Sequence, residues 1–280
     1  MPKTNGPLGV FRSAKNTLMA IVLVSEYLIF GGLRYYFYRD RLAWRKIAIQ
    51  KVSAKCKSLL KGFGFQVEYR MSRPDLFAGG KTYFMVCNHM SYMDILFLSA
   101  GEPAVFVTSV EMKQTPFLGE CSSFGGSYFV ERRDRSRIPK EIKELAQLLQ
   151  DGFNVFVFPE ATSHDGLSLL PFKKAMFTAA IAAGAEVLPV CLRYEELNGE
   201  PFSRKNNRLL CWFGKMPFVP HFFRMASLKS AKVTVEYLEP IPAQQFPDRG
   251  QLSDRAYQQI SHCYFSNRPK EFLSSIQESP

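Results

Sequence analysis

Nowhere in the 280 residues does a serine sit in a Gly-x-Ser-x-Gly elbow, the strained turn that presents a nucleophilic hydroxyl in many hydrolases. Without it, no nucleophilic side chain is plainly supplied. The six cysteines, at 56, 87, 121, 191, 211 and 263, include no Cys-x-x-Cys pair, which argues against structural zinc and against a disulfide framework. Several fall in apolar runs, where a free thiol behaves as a small hydrophobe, and such usage fits a reducing cytosolic compartment. There is no internal repeat and no long disordered linker. Acidic residues are the scarce charge, 25 against 36 lysines and arginines, for a formal net charge of +11. Aromatics make up 14% of the chain, with 25 phenylalanines. A basic, aromatic chain calls for an anionic partner, and nucleic acid and membrane both qualify until a hydrophobic anchor decides between them.

Such an anchor is present. Residues Leu18 to Leu33 form an apolar run interrupted only by Glu26 and small residues, slightly short for a clean bilayer span. Arg34, Tyr35, Tyr36, Phe37, Tyr38, Arg39 and Arg41 follow, as expected where a helix leaves hydrocarbon for headgroups. Lys3, Arg12 and Lys15 make the other flank basic too, so the positive-inside rule selects no orientation. A helix dipping into one leaflet therefore stands beside a full span. No small-residue cleavage site follows the run, which argues against a signal peptide. From Leu42 to Lys61, apolar Leu42, Ile49, Val52, Cys56, Leu59 and Leu60 recur at helical spacing, with six lysines and arginines around them. This predicts a second helix, ended by Gly62 and Gly64, lying along acidic headgroups. Membrane lipids, not nucleic acid, are the expected partner. The chain divides into membrane-associating helices over 1–64 and a catalytic domain over 65–280.

Beyond residue 65 strands and helices interleave. Strands are expected at Phe65 to Tyr69, Thr82 to Cys87, Ala104 to Thr108, Ser127 to Val130, Val155 to Phe158, Val187 to Arg193 and Lys232 to Tyr237, with helices near 93–100, 137–151 and 173–184. The pattern is a layered α/β domain with function at the loops leaving strand ends. The aromatic stretch Met216 to Met225 reads as either a membrane-facing surface or a core loop.

Three of those loops carry chemistry. In Asn88-His89-Met90-Ser91-Tyr92-Met93-Asp94 a histidine and a carboxylate stand five residues apart. Five residues of continuous helix rotate by about 140°, so the pair can meet only where the chain turns between strand and helix. There Asp94 can hold one imidazole nitrogen, leaving the other as a base for a substrate hydroxyl. The competing reading is a surface histidine and a capping aspartate. A second cluster joins Lys113-Gln114-Thr115-Pro116 to Phe129-Val130-Glu131-Arg132-Arg133, cations suited to phosphate unless Glu131 and Asp134 neutralise them. The third is Phe158-Pro159-Glu160-Ala161-Thr162-Ser163-His164-Asp165, followed by Lys173 and Lys174. Here Glu160 can anchor backbone or substrate hydroxyls, and either lysine can meet phosphate. A metal held by His89, Asp94, Glu160 and His164 lacks any known ligand spacing, and none is expected.

Taken in order with Val187-Leu188-Pro189-Val190, these segments resemble the four motifs of the lysophosphatidic acid acyltransferase, or glycerolipid acyltransferase, family. The resemblance covers about residues 85 to 193, and the N-terminal helices resemble that family's two-helix anchor. It implies a mixed central sheet flanked by helices, with His89 as general base and Asp94 as its orienter. The substrate-binding residues it implies are Asn88, Lys113, Arg132, Glu160 and Thr162, with Ser163 standing in the acceptor site where the family has an arginine, and Arg133 or Lys173 as the cation that can compensate. The implied reaction moves an acyl group from acyl-CoA or acyl carrier protein, a co-substrate rather than a cofactor, to a lysophospholipid hydroxyl. The first expected acceptor is 1-acylglycerol-3-phosphate. A lyso-ornithine lipid or a zwitterionic lysophospholipid is the alternative, and an acidic-lipid-binding protein without activity is the non-enzymatic one. The catalytic domain is expected on the cytoplasmic face of the membrane. The chain departs from the family where Glu-Gly-Thr-Arg is usual: Ala161 replaces the glycine and Ser163 the arginine.

Overall fold

In the computed structural model, residues 7–115, 117–131, 133–246, 248–266, 268 and 272 are described. Helix α1 (Pro7–Phe37) is longer than the apolar run, because the basic and aromatic flanks continue the same helix. Asp40 ends the gap after it by capping α2 (Arg41–Gly62), accepting the N–H groups of Leu42 and Ala43 at 2.9 and 3.1 Å. Helix α2 buries Trp44, Ala48, Ile49, Ser53, Cys56 and Leu60, and turns Lys46, Lys51, Lys57 and Lys61 outward. Leu42, expected on the apolar face, is exposed. The buried stripe of α2 packs on α3 (Met93–Gly101), so this helix shares the core of the α/β domain.

The sheet is mixed. Its central strand β2 (Tyr83–Cys87) is buried throughout, which explains a continuous apolar run in place of alternation. The path runs β1 (Phe65–Met71), β8 (Ala231–Tyr237), β6 (Glu186–Leu197), β2, β5 (Val155–Val157), β3 (Val105–Ser109), β4 (Tyr128–Val130). Strands β6, β2, β5, β3 and β4 are parallel, whereas β8 is antiparallel to β6 and parallel to β1. Short β7 (Glu200–Pro201) and β9 (Ile241–Pro242) also pair with β6. Parallel strands release their C-terminal ends on one edge, so the segments after β2, β5, β3 and β4 emerge together. Those segments hold the three polar clusters of the sequence.

Helices α4 (Val110–Lys113), α5 (Leu118–Phe124), α6 (Ile138–Gln150), α7 (Phe177–Ala183), α8 (Phe218–Ala226) and α9 (Arg249–Ser266) complete the domain. The helix expected from 173 begins only at Phe177, because the Lys173 N–H is committed to the Pro159 carbonyl at 2.8 Å. Strand β6 passes the expected end at Arg193 and continues through an irregularity between Tyr194 and Glu196. The aromatic stretch at 216–225 forms α8, and α9 was hidden in a polar sequence whose buried Leu252, Ala256, Ile260 and Tyr264 are four apart.

Helix α1 lies along the domain. Asn16 donates to the Ala226 carbonyl at 2.8 Å, Tyr27 to that of Cys121 at 2.7 Å, and Glu26, the one acid in the apolar run, pairs with Lys55 of α2 at 2.5 Å. Its outward side leaves Phe11, Leu18, Ile21, Val22, Ile29 and Phe30 exposed. The helix over Gly9–Phe37, which holds an 18-residue stretch of mean hydropathy 1.6, is long and apolar enough to cross a membrane.

Candidate active site

The turn after β2 closes around one carboxylate. Asp94, in the first turn of α3, is fully buried. Its Oδ2 lies 2.8 Å from His89 Nδ1 and accepts the Met90 and Ser91 N–H groups at 2.6 and 2.9 Å. Its Oδ1 accepts the hydroxyl of Tyr194 from β6. Burial and the neighbouring Asp94 push the Tyr194 phenol well above its usual range, which keeps it a proton donor. A carboxylate ringed by donors holds Nδ1–H and leaves Nε2 as the acceptor of the imidazole. The His89 ring stacks on Phe158, with centroids 4.0 Å apart and planes 18° apart, and keeps 19% of its side chain exposed. Its orientation is thus set by a hydrogen bond at one edge and a ring at one face. Cys87, two residues earlier, is no rival nucleophile, since burial pushes its thiol well up.

Asn88 extends the β2–β6 ladder by one rung. Its Nδ2 donates to the Leu192 carbonyl and its Oδ1 accepts the Leu192 N–H, both at 2.9 Å and fully buried. Glu160 has a comparable task after β5. Its Oε2 accepts the His89 N–H at 2.8 Å and its Oε1 the Leu170 N–H at 3.0 Å, tying the two loops together. His164 adds to this tie: its backbone N–H donates to the His89 carbonyl at 3.1 Å, and its Nε2 lies 3.1 Å from Glu160 Oε2. Burial lowers the proton affinity of the His164 ring, but Asp165 and Glu160 outweigh it and pull the group up to about 9. The Gly166 N–H, aimed at Nδ1 from 3.1 Å, opposes them because it needs an acceptor there. This bond is shorter than the 4.0 Å contact to Asp165, and a neutral ring that accepts it carries its proton on Nε2. Gly166 occupies a left-handed turn at φ +76°, where a Cβ would press on Phe202 and Met90.

Ser163, in the place of the expected arginine, spends its hydroxyl on the Trp212 carbonyl at 2.5 Å. The Trp212 N–H in turn donates to the Met90 carbonyl at 2.9 Å, so the backbone of this one residue joins both site loops. Ala161 adopts φ +62°, a conformation that favours glycine, the residue usual at this position in the resembled family. Thr162 and Lys173 are exposed on the same loop. Lys113, at the end of α4, places its ammonium 5.4 Å over the Phe129 ring, and Arg133 pairs with Glu111 at 3.2 Å. Both stand on the sheet edge from which His89 emerges, Lys113 separated from it in strand order by β5 and Arg133 by β5 and β3. Arg132 and Pro116 lie outside the described residues. Among the described residues no group of three or more histidine, cysteine or acidic side chains is arranged to hold a metal ion.

Sequence reasoning did not find Tyr194, Phe158 as a ring support, or the Trp212 bridge. Tyr194 is one residue past the expected end of its strand, and nothing local marks it as a partner of Asp94.

An imidazole oriented by a buried carboxylate, at the edge of a mixed α/β sheet, is an arrangement able to serve as a general base. Comparison with known proteins identifies the kind of enzyme. The Acyltransferase family pattern matches residues 67–193. The 1-acyl-sn-glycerol-3-phosphate acyltransferase of Neisseria gonorrhoeae is 34% identical over 176 residues, covering 63% of this chain and 67% of the relative. The lyso-ornithine lipid O-acyltransferase of Brucella abortus is 32% identical over 243 residues, covering 84% of this chain and 88% of the relative. The crystal structure of the 1-acyl-sn-glycerophosphate (LPA) acyltransferase PlsC from Thermotoga maritima shares the fold, with a TM-score of 0.66 over 92% of this chain and 95% of that one at 20% identity. The chain belongs to the PlsC-type acyltransferase family, and it is an acyltransferase.

Proposed function

We propose that the enzyme transfers a fatty acyl group from the thioester of coenzyme A or acyl carrier protein to the free hydroxyl of a lysolipid at the membrane surface. The observation that carries this reading is the His89–Asp94 contact, which commits Nδ1 and leaves Nε2 to take the acceptor's hydroxyl proton. The resulting oxygen attacks the thioester carbonyl, and the tetrahedral intermediate collapses with loss of the thiolate. The imidazolium returns its proton to that thiolate. The scheme uses no cofactor and no covalent enzyme intermediate. With α1 on the membrane, the catalytic domain faces the cytoplasm, where acyl thioesters are made.

The acceptor in this reading is 1-acylglycerol-3-phosphate. Exposed Lys113 and the nearby Arg133 support it, as cations suited to a phosphate monoester. A second acceptor, a lyso-ornithine lipid, is favoured by Ser163: the loop lacks the guanidinium that would grip a phosphate, and the serine hydroxyl is already engaged. The alignment with the Brucella relative also runs over more of the chain than that with the Neisseria one. Purified full-length enzyme should be given labelled acyl-CoA or acyl-ACP with lysophosphatidate, lysophosphatidylcholine or lyso-ornithine lipid in turn. Acylation of at least one by the wild type, and none by H89A, is expected. Consumption of none by the wild type overturns the reading.

A further inference from the structure

Helix α8 presents two unlike faces. Inward, it sets the rings of Phe218 and His221 against Tyr92, in the middle of the catalytic turn, beside Trp212 from the preceding loop. The Tyr92 hydroxyl lies 3.1 Å from His221 Nδ1, and its ring meets Phe218 edge-on at a centroid distance of 5.0 Å. Outward, Val219 and Phe223, one helical turn apart, are 59% and 48% exposed. Exposed Lys215 and Arg224 flank them. Adjacent apolar side chains with cations close by in the chain are the combination suited to a surface of anionic lipid.

The surface does not end at α8. Ser13 and Asn16 of α1 donate to the Phe223 and Ala226 carbonyls at 3.1 and 2.8 Å, tying the last turn of α8 to α1, with the Phe223 carbonyl also accepting the Ser227 N–H. This joins α8 to the part of α1 that exposes Val10, Phe11 and Leu18, with Lys15 exposed among them. We propose that the outer face of α8 is a second membrane-docking surface, which sits with the outer face of α1 on a bilayer carrying anionic headgroups. Continuity with an apolar helix able to enter a membrane, together with the basic flanks, selects a lipid surface as occupant over a second copy of this chain. Through the Tyr92 contact, the same helix rests one side on the lipid and the other on the turn that carries His89 and Asp94. Docking by α8 therefore fixes the height of the catalytic turn above the headgroups.

The test uses the full chain with Val219→Glu and Phe223→Glu combined, and Val219→Ser with Phe223→Ser as a milder pair should the charged one fail to fold. Met71→Glu, at an exposed apolar position at the end of β1, serves as control. Binding is measured by co-sedimentation with phosphatidylethanolamine vesicles containing phosphatidylglycerol. Loss of about tenfold in vesicle affinity is expected for the α8 pair, with no change for the control. The KM for a vesicle-borne acceptor should rise, while kcat at saturation and turnover of a short-chain soluble acceptor stay the same. Unchanged vesicle binding by a folded α8 variant overturns the proposal. So does a wild-type dimer that the α8 variant dissolves, which would assign the face to a second copy. The binding measurement needs no turnover, so its outcome is independent of the acceptor assigned above.

Discussion

Tyr194 donates its hydroxyl to Asp94 from one hundred positions further along the chain, and thereby completes the set of donors around the buried carboxylate. A carboxylate out of water must find such partners or give up its charge. With the phenol on Oδ1, the other oxygen serves His89 and two backbone N–H groups. Removing the phenol in Tyr194→Phe leaves Oδ1 buried without its donor, at a cost of roughly 1–3 kcal/mol. Chemical denaturation should show that loss, and kcat should fall because the His89 partner is less firmly held. A variant with wild-type stability and rate would show that Oδ1 needs no donor.

Asp94→Asn tests the orienting role itself. An amide can donate from the atom that faces His89, which removes the acceptor for Nδ1–H and lets the ring take the other tautomer. Acyl transfer should drop by about 10²–10⁴, the range associated with positioned proton transfer. Vesicle binding should be kept. Steady-state rates beside a sedimentation assay separate the two effects.

Glu160→Gln should weaken the tie between the site loops without emptying the site. Gln keeps one oxygen for either the His89 or the Leu170 N–H, where Glu160 now serves both. A stability loss of about 1–3 kcal/mol is expected from the N–H left unpaired. Faster amide exchange at residues 89 and 170 would be its direct signature, and protection equal to wild type would contradict the account.

His221 makes the fold sensitive to acid. Burial, which Arg224 reinforces, lowers this imidazole to about 4, against an ordinary value near 6.5. Between those values the unfolded chain binds a proton that the folded one refuses, so unfolding gains favour as pH falls through that window. The neutral ring therefore contributes its full share of stability above about pH 6.5, and that share, on the order of 3 kcal/mol, is gone below about pH 4. His221→Gln should flatten the stability profile in this interval. Urea midpoints measured across it provide the check, and an unchanged slope would place the sensitivity elsewhere.

Ala161→Gly should stabilise the protein, in contrast to most exchanges of alanine for glycine. At φ +62° the alanine Cβ is strained, and relief of about 1–2 kcal/mol is partly offset by the greater freedom of glycine in the unfolded chain. A rise in Tm with unchanged kcat is the expected result. A fall in Tm would mean that the loop does not hold this conformation in solution.

Much of the protein is legible in its sequence, because the relevant signals are local. A five-residue step from His89 to Asp94 demands a turn, and the turn exists, since a buried strand ends two residues before His89 and a helix starts at Met93. The long apolar run announces α1, and the alternation of apolar strands with amphipathic segments announces a layered α/β domain. Helix α7 starts later than its pattern predicts because a loop hydrogen bond at Lys173 outweighs the pattern, and the apolar positions of α9 are too sparse to mark it in the sequence.

By itself, then, the sequence determined the order of the motifs, the apolar first helix, and the presence of one histidine with a carboxylate at turn spacing. Only the tertiary structure decided which groups satisfy that carboxylate, how Ser163, Trp212 and Met90 are joined, and that α8 lies between α1 and Tyr92. The reason is physical. A helix or a turn is set by neighbours within a few residues, whereas the pairing of buried polar groups follows from strand order and register, which come into being only when β6 is laid against β2.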